Sequence, residues 1–416
     1  MHTFGSEGDI RPFIALANEL QIKGHDIQIV FTSIDNKKYD HLFELYGLDY
    51  HTVPDHVAIT QERIKEIAGM KNLIKALKMT FRETFVPYEN QMFEEALRLC
   101  NECDIVISHF SVYPMKVAVH KTNKPHIAVC FWPEMIQSED RPLSKNNIFS
   151  SIGNPIVWKM LQLLFDTLLL KEMTPLWKRN NLKVPHHVMP DIWFSKDMTL
   201  VASSPSIWNK IVNQKIPAIL SGFLELPKRD TEEIPFAVRN FIDDGDPPVY
   251  ITFGSMFQIY PEESVLFFQK IIQQSKKRFI IQTKEPCASL SKQNVLCIQH
   301  SEHSAIFPYC QAVIHHGGAG TSQATCTAGC PSFIVAFNDE QFSWGKRLYE
   351  IGVAAAPMRF RNKRVENIID FLEHITIDSS AKNASMQLST QLKGEHGVKK
   401  AVETVERFIE NRLYKC

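Results

Sequence analysis

The chain has 416 residues, 44% hydrophobic and 22% charged, and its 46 Lys and Arg balance 46 Asp and Glu to a formal net charge of zero. That length exceeds what one hydrophobic core usually supports, so two domains are expected. The charge balance argues against a basic nucleic-acid binder and against an acidic disordered tail.

The start, MHTFGSEGD, has neither a basic n-region nor an apolar h-region, so no signal peptide is expected. No apolar run is long enough for a spanning helix. Nine cysteines, an odd number, fit free thiols in a reducing compartment, so a cytoplasmic location is expected. Cys100 and Cys103 have metal-ligand spacing, but no second pair completes a zinc site. A helix end packed under a strand is the expected reading.

Along the chain, IRPFIALANELQIKGH has apolar residues at helical spacing, with Gly24 at the C-cap position, and HDIQIVFT after it is a short strand. CDIVISHF and KPHIAVCFWP are two more strands separated by a helix. Residues 155–182 read as one long amphipathic helix, and MTLVASSP is a strand ending in turn residues. The apolar stripe Leu161 to Leu170 is expected in the core or along an acceptor cleft, with a membrane surface as the rarer alternative. Pro and charge then accumulate in LPKRDTEEIPFAV and DDGDPPV. A second strand series follows: VYITFGSM, KRFIIQT, NVLCIQH, AVIHHGG and PSFIVAF.

Strands alternating with helices imply parallel sheets covered on both faces. The expected class is α/β, with two Rossmann-like domains facing across a cleft. The boundaries read as 1–213 for an N-terminal domain, 214–246 for a linker, and 247–395 for a C-terminal domain. Residues 396–416 form a helix that can return to the first domain.

VIHHGGAGTS carries the strongest chemical signal. A strand ends in a histidine pair and a helix begins on glycines, which leaves backbone N–H groups and partial positive charge open to an anion. No GK[ST] follows, so it is not a P-loop, and GGxG spacing does not fit the dinucleotide fingerprint. Glycine content alone leaves a phosphate site and a plain strand–helix turn as equal alternatives. A diphosphate is the ligand expected if the turn binds one.

The continuation HHGGAGTSQATCTAGCPSFIVAFNDEQFSWGKRLYEIGVAAAP resembles the donor-binding signature of the UDP-glycosyltransferase-like superfamily. The likeness is nearest to bacterial antibiotic and macrolide glycosyltransferases and to sterol glucosyltransferases. TFGSEGDIRPFIALANELQIKGHDI resembles their acceptor-side GSxGDxxP motif, and VYITFGSM and SEHSAIFP match in order. The resemblance implies the GT-B fold and an inverting transfer of a hexose, glucose first, from a UDP- or TDP-sugar to a hydroxyl of a lipophilic small molecule. The nucleotide sugar is then a substrate, and no cofactor or metal is implied.

By the same resemblance His315, Gly318, Ala319, Gly320 and Thr321 contact the pyrophosphate, and Ser255 adds a second donor contact. Glu340 and Gln341 match the pair that grips sugar hydroxyls, although the family more often has Asp at the first position. His300 falls where plant relatives stack a Trp on the base. Asp9 matches the catalytic position and His109 its partner, with the plant family's His and Asp exchanged. Phe131, Trp132 and Met135 are expected to line the acceptor site, and transient contact with a membrane surface is a further expectation.

Simpler readings stand beside these. Asp9 can be an ordinary helix cap, Glu340 and Gln341 a solvated helix start, and His300, His303, His315 and His316 a zinc cluster. The chain also begins almost on the TFGS turn, so the first strand is expected to be clipped and the sheet to lose its central strand. That would destabilise the turn carrying Asp9. It motivates an alternative function, a catalytically inactive sugar-nucleotide or small-molecule binding protein of the same fold. A nucleotide-sugar epimerase lacks its expected acidic groups.

Overall fold

A computed structural model describes residues 1–70, 73–137, 153–208, 216–227, 234–283, 290, 293–299 and 301–413. It divides into two compact units, Met1–Leu226 with Gly397–Cys416, and Pro227–His396.

The first unit is built on β1 (His2–Gly5), β2 (Gln28–Ser33), β3 (Asp49–Thr52), β4 (Val106–His109), β5 (His126–Cys130), β6 (Met198–Val201) and β7 (Ala218–Leu220). All are parallel, in the order β3-β2-β1-β4-β5-β6-β7. The central strand is therefore present, contrary to the expectation that it would be lost. Its four residues are all buried, and each pairs with β2, from His2 opposite Val30 to Gly5 opposite Ser33. The Met1 amino group donates to the Gln28 carbonyl, which anchors the strand one residue before it begins. Four residues suffice because neighbours on both sides pair with them.

The second unit contains β8 (Val249–Thr252), β9 (Phe279–Gln282), β10 (Val295–Ile298), β11 (Ala312–His315), β12 (Ser332–Ala336) and β13 (Met358–Arg359). These are parallel in the order β10-β9-β8-β11-β12-β13. Strands buried on both faces need near-continuous apolar sequence, which explains why AVIH and SFIVA are legible. The sequence reading missed β3, β7 and β13. All three are sheet edges and β13 has only two residues, so neither length nor composition marks them.

The expected long helix over 155–182 is broken by a π turn, Asp166–Leu170, between Gly153–Phe165 and Lys171–Arg179. Pro175, which has no N–H for an i→i−4 bond, lies one turn beyond. The apolar stripe divides: Leu168 and Leu169 are buried, whereas Ile156, Met160 and Leu163 are more than half exposed. No helix among the described residues is long and apolar enough to cross a membrane.

The helix Gly397–Leu413 packs on the first helix, Glu7–Ile22, burying Ala401, Val402 and Val405. Its first residue must be small, because a Cβ on Gly397 would lie 2.3 Å from the Phe223 carbonyl oxygen. Cys100 is buried in the helix Glu89–Glu102, with its sulfur 3.9 Å from that of Met115.

Candidate functional site

In a parallel sheet, groups that act on ligands collect beyond the carboxyl ends of the strands. Each unit carries its sequence-predicted residues on strand–turn–helix junctions of that kind.

In the first unit β1 ends at Gly5, Ser6 is the N-cap, and Asp9 occupies the third helical position. Gly5 has φ +142°, and a Cβ there would lie 2.2 Å from the Asp9 carboxylate. Asp9 Oδ2 accepts from the Ser6 N–H at 2.9 Å and from the Ser6 hydroxyl at 3.3 Å, closing a capping box on the helix. The simple reading of Asp9 as part of a cap is thus realised, and it leaves Oδ1 facing elsewhere. That oxygen lies 3.8 Å from His109 Nε2 at the end of β4, an approach rather than a hydrogen bond. His109 Nδ1 is 2.6 Å from the Ser111 hydroxyl.

Burial raises the Asp9 carboxyl to about 6, against the pull of the Ser6 hydrogen bonds and with help from the nearby Asp35 charge. The side chain is itself 32% exposed, so the shift reflects the buried surround of the turn rather than full enclosure. Burial lowers His109 to about 3, so its ring is neutral at physiological pH. Of the two, Asp9 is the stronger base.

Of the predicted acceptor residues, Phe131 lies beside this pair. The Phe131 ring stacks on His109 at 5.5 Å with 27° between planes. Phe131 and Met135 are nearly fully buried, while Trp132 is half-buried with its indole N–H enclosed and without a partner.

In the second unit β11 ends at His315, Gly317 turns the chain at φ +89°, and Gly318 is the N-cap of the helix Ala319–Thr327. No side chain caps this helix, and Gly318, Ala319, Gly320 and Thr321 are half-buried. The glycines have different reasons to be there. A Cβ on Gly317 would lie 2.7 Å from the Gln341 carbonyl oxygen, and one on Gly318 would lie 2.5 Å from His316 Nε2. A Cβ on Gly320 would meet nothing within 4 Å, and no unusual φ is required there. Neither packing nor backbone conformation therefore requires a glycine at 320.

The two histidines are not equivalent. His315 is fully enclosed, and its Nδ1 accepts from the Gly317 N–H at 3.1 Å, inside the turn itself. His316 is 9% exposed, and its ring lies against the backbones of both Gly254 and Gly318. Burial lowers both rings, His316 to about 4, so each is neutral. Gly254 turns at φ +52° after β8 and presents the half-buried Ser255, so His316 bridges the β8 and β11 turns. HH is ambiguous in sequence because both histidines are buried: the last strand residue is enclosed within its own turn, and its successor packs against the turn after β8.

Gln341 and Glu340 begin the helix Asp339–Glu350, whose N-cap Asn338 accepts from the Gln341 N–H at 2.9 Å. The Gln341 Oε1 accepts from the Phe337 N–H at 2.8 Å, which orients the amide. Close contact of the Gly317 turn with the Gln341 backbone brings this pair to the glycine turn, and Glu340 is half-buried there. Asp339 instead pairs with Arg359 at 2.6 Å. His303 stacks on Phe307 at 4.6 Å. His300 lies outside the described residues.

Comparison with known proteins agrees with this architecture. A family model for the erythromycin biosynthesis protein CIII-like C-terminal domain matches residues 280–408. A sterol 3-beta-glucosyltransferase of Arabidopsis thaliana is 32% identical over 217 residues, which cover 51% of this chain but only 34% of that protein. The O-mycaminosyltylonolide 6-deoxyallosyltransferase of Streptomyces fradiae is 23% identical, over 99% of this chain and 97% of its own length. Among solved structures, the glycosyltransferase VinC in complex with DTDP superposes with a TM-score of 0.62 at 16% identity, covering 99% of both chains. Two parallel-sheet Rossmann-like units and these likenesses together give the chain the GT-B fold, with similarity to glycosyltransferases of sterol and macrolide type.

Proposed function

We propose that the protein is an inverting glycosyltransferase that moves a hexose, glucose first, from a UDP- or TDP-sugar to a hydroxyl of a lipophilic small molecule, without a divalent metal. The observation that carries this reading is the uncapped helix start at Gly318 to Thr321, with a glycine at 320 that the fold does not require. A diphosphate there accepts from first-turn N–H groups and meets the positive end of the helix dipole.

His316, rather than His315, is the histidine we assign to the phosphates, because its ring lies against the turns after both β8 and β11, whereas the fully enclosed His315 accepts through Nδ1 from the Gly317 N–H. Ser255 adds a hydroxyl from the β8 turn, and Glu340 and Gln341 take the sugar hydroxyls. As the bond from the anomeric carbon to the diphosphate breaks, charge develops on the leaving oxygens. Fixed N–H donors stabilise that charge without reorganising.

In the first unit, Asp9 accepts the proton of the acceptor hydroxyl as its oxygen attacks from the face opposite the diphosphate. A carboxyl raised to about 6 is ionised at neutral pH yet more basic than an ordinary Asp. Neutral His109 positions the hydroxyl or the carboxylate. Phe131 and Trp132 offer the acceptor an apolar wall. The relatives' names, a sterol glucosyltransferase and a macrolide deoxyallosyltransferase, support an acceptor with a large apolar skeleton.

The test is nucleotide release from UDP-glucose and TDP-glucose over a panel of sterol, macrolide, phenolic and saccharide acceptors, with products read by mass spectrometry. Acceptor-dependent release with apolar acceptors, unchanged in EDTA, is expected. Transfer only to soluble sugars, or activity lost in EDTA and restored by magnesium, overturns the corresponding part. Nucleotide binding with no transfer to any acceptor would leave a binding protein of the same fold.

A further inference from the structure

Two π turns occur among the described residues, Asp166–Leu170 and Met189–Trp193, and they serve one constellation in the first unit. Such turns are rare and concentrate at functional sites. Asp166, the first residue of one, is 15% exposed and accepts from His187 Nδ1 at 2.8 Å and from the Val188 N–H at 2.7 Å. Asp191, in the other, accepts from the His187 N–H at 3.0 Å. The backbone around His187 is thus held on both sides without its ring. The ring is nevertheless 44% exposed, with a carboxylate fixing its orientation. In the neutral ring, an Nδ1 that donates to the carboxylate leaves Nε2 as an acceptor.

What lies between this pair and Asp9 is aromatic. His109 meets Phe110 at 4.7 Å between ring centroids, Phe110 meets Trp193 at 5.7 Å, and Trp193 meets Phe165 at 4.8 Å. Phe165 immediately precedes Asp166, and Phe110 and Phe165 are only half-buried. These ring contacts run from His109 to Phe165, the residue before Asp166, so the Asp9 turn and the Asp166–His187 pair border one aromatic cluster of the first unit.

We infer that His187, oriented by Asp166, recognises the far end of the acceptor, taking a hydrogen bond from a hydroxyl remote from the one that receives the sugar. This rests on the proposed transfer to a lipophilic acceptor and adds a specificity-determining residue to it. Asp166 is a positioning residue that holds the ring tautomer.

The experiment compares a saturated steroid 3,17-diol with its 17-deoxy counterpart. Binding is followed by tryptophan fluorescence of the full chain, and turnover with UDP-glucose by product mass. The wild type is expected to favour the diol about tenfold, the effect of one hydrogen bond left unpaired. His187→Ala removes that preference by raising Kd and KM for the diol alone, and His187→Gln, which keeps an acceptor oxygen, restores part of it. Equal binding of both steroids by the wild type overturns the inference, as does a His187→Ala loss that is the same for both. If the wild type binds neither steroid yet transfers to a macrolide or phenol of the acceptor panel, this inference fails and the apolar-acceptor reading stands; if it takes no apolar acceptor at all, both fail.

Discussion

The two turns that carry the proposed chemistry start from the same device and finish it oppositely. Both follow an interior strand of a parallel sheet, both turn on a glycine of positive φ, and both open a helix. At Gly5 the helix start is closed by its own Asp9 carboxylate, whereas at Gly317 it is left uncapped. A helix N-terminus attracts an anion. Supplying that anion from the chain yields a fixed carboxylate, and to the uncapped turn we assign a diphosphate.

The sharpest way to break this contrast is Asp9→Asn, which keeps a capping oxygen and removes the charge. We expect kcat to fall about 10²-fold or more with thermal unfolding little changed. The wild-type rate should also decline as pH falls through about 6, where Asp9 takes up its proton, and the Asn variant should lose that limb. Wild-type turnover in Asp9→Asn would leave the residue a cap alone.

The turns agree in one respect, since both lean on buried neutral histidines: His2 and His109 lie near about 3 and His316 near about 4. Their folded pKa values lie below the unfolded value, so the stability they confer is present above about pH 6.5 and is lost as pH falls toward the folded values. At pH 5 each costs about 2 kcal/mol by linkage. Asp9, raised by folding, works in the opposite sense, and its partial exposure weakens that contribution. Urea unfolding at pH 7.5 and pH 5 should show a net loss. Equal midpoints would contradict the neutral rings.

His316→Ala separates the histidines. It should weaken UDP about tenfold, as loss of a hydrogen bond to a charged group does, whereas His315→Ala should lower stability with little effect on UDP once folded. Calorimetric titration of both variants checks this, and the reverse pattern restores His315 as the phosphate contact. The smallest effect on the fold is expected of Gly320→Ala. Space is open there and Ala favours a helix by up to about 1 kcal/mol. Melting should hold or rise while UDP affinity falls severalfold. Undiminished affinity would remove the ligand from that turn.

Much of this contrast was legible in the amino-acid order. GSEGD and HHGGAGT mark strand–turn–helix junctions because glycine and small polar residues punctuate apolar runs. The face that each histidine takes was not legible, because it depends on where β11 stops, and strand ends are set by pairing partners distant in sequence. Edge strands such as Asp49–Thr52 escaped for a related reason: half-exposed, they need no apolar run. The Asp166–His187 pair escaped because a π turn adds a residue to a helix without changing its composition.

The return of Gly397–Leu413 to the first helix has a consequence for biosynthesis. Pro227–His396 is one uninterrupted stretch and can complete its fold as soon as it leaves the ribosome. The first unit, although its sheet is made earlier, has to wait. Until residues 397–413 emerge, the surface of Glu7–Ile22 that they cover stays open to solvent, and closing it requires a contact across nearly the whole chain. The unit begun first is the unit finished last.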